Sequence, residues 1–303
     1  SRPLGTRLEM PWAQESLANY LNDHIRKVVR EEVLDPVKSR GRLYGKPRIF
    51  NDLLSSQPLC FNLFAELKEN LPLAAQVMGL LTNGLVDSVA SVEFEWSPGR
   101  GDARLTGDRS AFDVYVAFSL KGGGKGFIGI EVKYHENLIG DPSPHRERYD
   151  QISDQMGCFK GSTKGSLKTQ PLQQIWRDHM LAGIHKTVNG FDEGFFVFLY
   201  PERNNHCADA VENYKDCLTN TDTFASWTLE EVAGAVKKCT GEGIVINVFM
   251  LEMAYYLVNF VRQMTKLNRG RAFFTQPDKL GEYVLVLSLI HISEPTRLGM
   301  ISY

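Results

Sequence analysis

The chain has 303 residues, 43% of them hydrophobic and 23% charged, an ordinary globular composition with enough apolar material for a sizeable core in one large domain or two small ones. Its net charge of −2 gives no global electrostatic case for a polyanionic partner, although a local basic patch around a carboxylate site is compatible with it. Five scattered cysteines (Cys60, Cys158, Cys207, Cys217 and Cys239) argue against a disulfide framework and for a reducing, cytoplasmic setting.

The chain begins Ser1-Arg2-Pro3-Leu4, without methionine or a signal pattern, as a fragment of a longer reading frame would. Residues 12–33 predict one helix, with Leu17, Tyr20, Leu21, Ile25, Val28 and Val29 at three- and four-residue spacing. Between Arg26 and Arg48 lie Lys27, Arg30, Lys38, Arg40, Arg42 and Lys46, against only Glu31, Glu32 and Asp35. A solvated helix face with a linker and a phosphate-contacting arm both fit that stretch. Residues 1–50 are therefore expected to form an N-terminal helix and basic linker, ahead of a main domain over 51–286.

That domain opens with a helix from Ser55 and Pro58, whose apolar spacing continues into 71–81. Residues 89–96 alternate as a half-buried strand. Residues 111–120 predict a second, with Phe112, Val114, Val116 and Phe118 on one face. A Gly-rich turn at 121–126 leads to a third strand at 127–134, most simply an antiparallel hairpin. Residues 140–168 predict a partly helical insertion, 172–185 a helix, and Glu193–Tyr200 a buried apolar strand. Helices at 208–218 and 229–238 follow.

The window 244–261 is apolar enough to raise a membrane span, but Asn247, Glu252 and Asn259 interrupt it, and a charge at mid-bilayer costs roughly 2.5–3.5 kcal/mol. A buried segment running into an amphipathic helix, with no membrane association, is the expectation. Residues 287–303, beginning Leu287-Ser288-Leu289-Ile290-His291-Ile292-Ser293-Glu294-Pro295-Thr296-Arg297, resemble a translated sequencing adaptor and are expected to be non-native.

The chemistry concentrates on the hairpin. Residues two apart on a strand share a face, so Glu131 and Lys133 point one way while Ile128, Ile130 and Val132 point to a core. An antiparallel neighbour can bring Asp113 beside Glu131. Charged groups in a strand flanked by core positions are costly unless paired or bound to an ion. Two carboxylates suit a hard divalent cation such as Mg²⁺, and a nearby lysine can position or deprotonate a water, or offset charge developing on phosphorus. A cross-strand charge pair is the plainer alternative. Asp102 and Asp108 are nearby loop acids, read first as loop caps, with a reach to the metal as the other reading. His135 is read first as a surface residue, with assistance to catalysis as the alternative, and no zinc-ligand spacing, Gly-x-Ser-x-Gly, His-Glu-x-x-His or Walker A loop is present.

The run Phe112-Asp113-Val114-Tyr115-Val116, then Gly126-Phe127-Ile128-Gly129-Ile130-Glu131-Val132-Lys133-Tyr134-His135-Glu136, resembles the core of the PD-(D/E)xK nuclease superfamily. Together with Ser56-Gln57-Pro58-Leu59-Cys60-Phe61-Asn62-Leu63-Phe64, it is similar to a bacterial family of restriction-endonuclease-like proteins. The resemblance covers about residues 55–235 and lacks the motif's proline, Phe112 standing before Asp113. It implies an α/β restriction-endonuclease-like core: helix, three-stranded mixed sheet, helix, strand, with added helices. It also implies Asp113, Glu131 and Lys133 as catalytic residues, with Asp113 and Glu131 holding Mg²⁺, for which Mn²⁺ substitutes. Many members add an acid from the first helix, where Glu66 stands; an exposed glutamate paired with Asn70 or Lys68 is the other reading. Gln173, Gln174 and Arg177 lie on a helix that often borders the site in this superfamily; Gln173 and Arg177, four apart, are candidate phosphate contacts, an ordinary polar face being the other reading.

The expected activity is metal-dependent hydrolysis of DNA phosphodiester bonds, of restriction or defence type, by a protein that is plausible as a homodimer. Two other readings stand beside it. One is a nucleic-acid-binding protein on the same fold with catalysis lost; the other is a non-nuclease enzyme using a Glu/Lys pair as acid and base.

Overall fold

Alternating apolar residues in the middle of the chain build a five-stranded sheet in the computed structural model, which describes residues 5–240, 248–250 and 272–274. Strands β1 (Val86–Trp96), β2 (Phe112–Leu120) and β3 (Lys125–Val132) are antiparallel neighbours. Beyond β3 the sheet turns parallel, with β4 (Glu193–Tyr200) and then β5 (Phe224–Thr228). The sheet is mixed, as expected, but has five strands rather than three. Sequence periodicity does not report β5, because its buried residues Phe224 and Trp227 are three apart and it is an edge strand paired with β4.

Helices cover both faces. Before the sheet come α1 (Trp12–Ser16), α2 (Asp23–Val29), α3 (Arg48–Asn51), α4 (Ser56–Glu69) and α5 (Leu71–Leu81). Between β3 and β4 lie α6 (Glu147–Met156), α7 (Lys164–Leu167) and α8 (Leu172–Asn189). Later, α9 (Asn205–Asp216) joins β4 to β5 and α10 (Leu229–Thr240) follows β5. The helix expected over 12–33 is broken. Leu17 takes a left-handed conformation with φ 50°, and Asn22 starts a new helix by accepting from the Ile25 N–H at 2.9 Å. Arg30–Leu34 then winds as a π-helix. The run 57–81 is likewise split at Asn70, which caps α5 ahead of Pro72.

Two cores result. One joins Val114, Val116, Ile128, Ile130 and Val132 to α4, α5, α10 and the N-terminal residues Tyr20, Val28 and Val29. The other joins Phe127, Phe196 and Phe198 to α6, α8 and α9. Phe112 belongs to this second core, not to the Val114 face expected for it. Gly129 makes the room: a Cβ there would lie 2.5 Å from the Phe112 ring. Gly194 accommodates Phe127 in the same way, at 2.2 Å.

Among the described residues no helix is long and apolar enough to cross a membrane. Most of the window 244–261 and all of 287–303 lie outside the described residues; within the window, β6 (Val248–Met250) pairs in parallel with β7 (Ala272–Phe274).

Candidate active site

The β2–β3 ladder runs as far as Val114 opposite Ile130, so the next rung sets Asp113 opposite Glu131. There the strands part, and the Asp113 side chain bridges the gap: its Oδ2 accepts from the Val132 N–H at 2.9 Å. One residue on, the Lys133 N–H donates to the Leu199 carbonyl at 2.8 Å and ties the end of β3 to β4. With Ile130 and Val132 held in the first core, Glu131 and Lys133 face the α8 side.

On that face Lys133 Nζ donates to Glu131 Oε1 at 2.6 Å, and Gln174 Nε2 of α8 reaches the same oxygen at 2.5 Å. The Lys133 and Glu131 side chains are each only 9% exposed. Glu131 Oε2 and Asp113 Oδ1 have no hydrogen-bond donor among the described residues. Burial, then the negative charge of Glu131, pushes the Asp113 carboxyl well above the usual range. Burial alone would lower the Lys133 ammonium, but the charges of Glu131 and Asp113 outweigh it and hold it above its ordinary value.

Two crowded carboxylates, each with one oxygen committed to the protein and one open, suit an ion that takes one or two carboxylates and completes its shell with water and phosphate. The donor set therefore fits Mg²⁺. Among the described residues no group of three or more His, Cys, Asp or Glu side chains is arranged to hold a metal.

The sequence profile of the PD-(D/E)XK nuclease superfamily matches residues 1–248. The chain belongs to that superfamily. Neither a curated protein nor a solved structure matches it.

Around the central group this PD-(D/E)XK protein carries acids that the sequence did not single out. Glu95 of β1 lies opposite Asp113, between the pairs Phe94–Val114 and Trp96–Phe112, so Glu95, Asp113 and Glu131 form a row across three strands. Its φ of 46° is left-handed, unusual for a non-glycine residue. Arg100 holds its carboxylate at 2.7 Å, yet burial keeps its pKa raised. Glu136 follows the strand: its carboxylate accepts from the Tyr134 N–H at 2.7 Å and from the Ser56 N–H at the start of α4 at 3.3 Å. Those N–H groups and Lys133 outweigh burial and lower its pKa. Asn204 donates to the carbonyls of Tyr134 and Glu136, fixing the turn after β3. On α8, Asp178 is 5% exposed and its Oδ2 has no hydrogen-bond partner. Burial and the charge of Glu131 push its carboxyl well above the usual range.

Other residues lie elsewhere. The Glu66 carboxylate accepts from Asn22 Nδ2 at 2.7 Å, turned to the N-terminal segment, and is not brought to Asp113 and Glu131. Its alternative partner Lys68 instead pairs with Glu32 and Glu93. Gln173 and Arg177 share a face, as their spacing implies, but both hold Ser143. The Gln173 amide bonds the Ser143 N–H and carbonyl, each at 2.7 Å, and Arg177 donates to Ser143 Oγ at 2.7 Å.

Arg177 also pairs with Asp108 at 3.0 Å. Asp108 further accepts from Thr106, Ser110 and Tyr149, and these bonds overcome burial to hold its carboxyl well below the usual range. It is a loop cap, as is Asp102, which pairs with Arg104. Of the basic stretch, Arg26, Lys27 and Arg42 form ion pairs, while Arg30, Lys38, Arg40, Lys46 and Arg48 are exposed.

Proposed function

We propose that this chain is a metal-dependent nuclease that hydrolyses phosphodiester bonds in DNA, of restriction or defence type. The carrying observation is the group at the end of β3, where the Lys133–Glu131 pair lies beside the Asp113 carboxylate bonded to the Val132 N–H. Asp113 and Glu131 would hold Mg²⁺, or Mn²⁺ in its place. Such a cation would supply polarisation of the scissile phosphate and a lowered pKa for an attacking water. Lys133 positions that water and offsets charge developing on phosphorus. Gln174 fixes the Glu131 carboxylate, and Asn204 and Glu136 hold the turn that follows it. Membership of the superfamily supports nucleic acid as the substrate. Glu66, Gln173 and Arg177 support the N-terminal segment and the Ser143 loop in this proposal, rather than touching cation or phosphate.

One observation favours a second reading, a nucleic-acid-binding protein on the same fold with catalysis lost: Glu131 Oε1 is already filled by Lys133 and Gln174, and no three-ligand group forms among the described residues. Calorimetric titration with Mg²⁺ and Mn²⁺ separates the two. The nuclease reading expects binding in the low millimolar range or tighter, abolished by Asp113→Ala. Absence of binding to the wild type leaves the second.

A further inference from the structure

Lys133 acts as an internal cation on Glu131, 2.6 Å from Oε1. A divalent ion on Glu131 repels that ammonium, so occupation of the site, the reading on which this inference rests, weakens the pair. Lys133 is 7% exposed, and an ammonium buried without an anion costs several kcal/mol. It needs another acceptor.

The surrounding carboxyls differ in what they have left to offer. Asp108 is filled by Thr106, Ser110, Tyr149 and Arg177. Glu136 holds two backbone N–H groups, and Glu95 holds Arg100. Asp113 holds the Val132 N–H and faces the cation position. Asp178 alone among them has a buried oxygen with no partner, and it lies within electrostatic reach of Lys133 and Glu131. It stands one helical turn beyond Gln174, so α8 offers both side chains from one face. A buried oxygen left without a partner is unfavourable, and a purely structural role for Asp178 does not explain it.

We infer that Asp178 is a positioning residue, the second anchor of Lys133: when a divalent cation takes Glu131, the Lys133 ammonium moves its hydrogen bond to the Asp178 carboxyl and is held there toward the attacking water.

The test follows the lysine ammonium by heteronuclear NMR in the full chain while Mg²⁺ alone is added, the Lys133 signal being assigned by its loss in Lys133→Met. Wild type is expected to show that signal moving to a second hydrogen-bonded position as Mg²⁺ binds. In Asp178→Leu, Mg²⁺ affinity stays within about threefold, the signal fails to reach that position, and kcat on DNA falls about tenfold or more at unchanged KM. Asp178→Asn, whose amide oxygen still accepts, recovers part of the loss. A purely structural role predicts a lower unfolding temperature without metal and a normal Lys133 response to Mg²⁺. That outcome, or a Lys133 signal that ignores bound Mg²⁺ in the wild type, overturns the inference and leaves the nuclease reading intact. Failure of the wild type to bind Mg²⁺ overturns both.

Discussion

Gln174 and Gln173 are adjacent on α8, yet their amides do different work: Gln174 Nε2 lies 2.5 Å from Glu131 Oε1, while Gln173 clasps both backbone groups of Ser143. About 100° of helical rotation separates a site contact from a loop anchor. Gln174→Ala is therefore expected to weaken Mg²⁺ binding about 10-fold, as loss of an orienting partner does. Gln173→Ala is expected to leave that affinity unchanged and to speed proteolysis near residues 140–145. Limited proteolysis and calorimetry on both variants check this, and equal effects on metal affinity would contradict it.

Gly129 and Gly194 offer a matched pair of overpacking experiments. An added methyl meets the Phe112 ring in one case and the Phe127 ring in the other. Each substitution to Ala is expected to destabilise by about 1–3 kcal/mol in urea denaturation. Phe112 precedes Asp113, so only Gly129→Ala is expected also to weaken Mg²⁺ binding. Unchanged binding in that variant would show that Phe112 does not set the position of Asp113.

His179 gives a pH signature unrelated to catalysis. Buried, and bonded to Tyr214 and Thr223, it has its pKa lowered by burial from 6.5 to about 3. The unfolded chain thus binds a proton that the folded chain does not. The stability involved is fully present above the unfolded value near 6.5 and is lost as pH falls from there toward 3. Urea denaturation across that range is expected to show a slope from this residue approaching about 1.4 kcal/mol per pH unit. His179→Gln should flatten the slope while lowering stability at pH 7, and a slope identical to wild type would contradict the assignment.

Much of this arrangement is legible in the sequence, for physical reasons particular to each element. Ile128, Ile130 and Val132 alternate with Glu131 and Lys133, and the short Gly-rich turn makes an antiparallel partner of the strand carrying Asp113. Their adjacency follows from pleat and register alone. Glu95 is less visible, because its place opposite Asp113 depends on the β1–β2 register across a long loop and on a left-handed backbone. The choice between Gln173 and Gln174 depends on the rotation of α8, whose neighbours on both sides are apolar and give little phase. Glu66 shares α4 with Cys60, which lies within electrostatic reach of Asp113, but Asn22 draws its carboxylate to a segment 44 residues away in the chain. The break at Leu17 is invisible for a related reason, since the helical spacing of apolar residues continues through it.

Cleavage of supercoiled plasmid separates hydrolysis at the Asp113–Glu131–Lys133 group from binding without chemistry. The full chain is incubated with Mg²⁺, Mn²⁺ or EDTA, beside Asp113→Ala and Lys133→Ala. The expected result is nicking or linearisation that requires metal, is absent in Asp113→Ala, and falls by about 100-fold or more in Lys133→Ala. Cleavage that persists in EDTA or at full rate in either variant, or no cleavage by a wild type that is folded and metal-loaded, would contradict it.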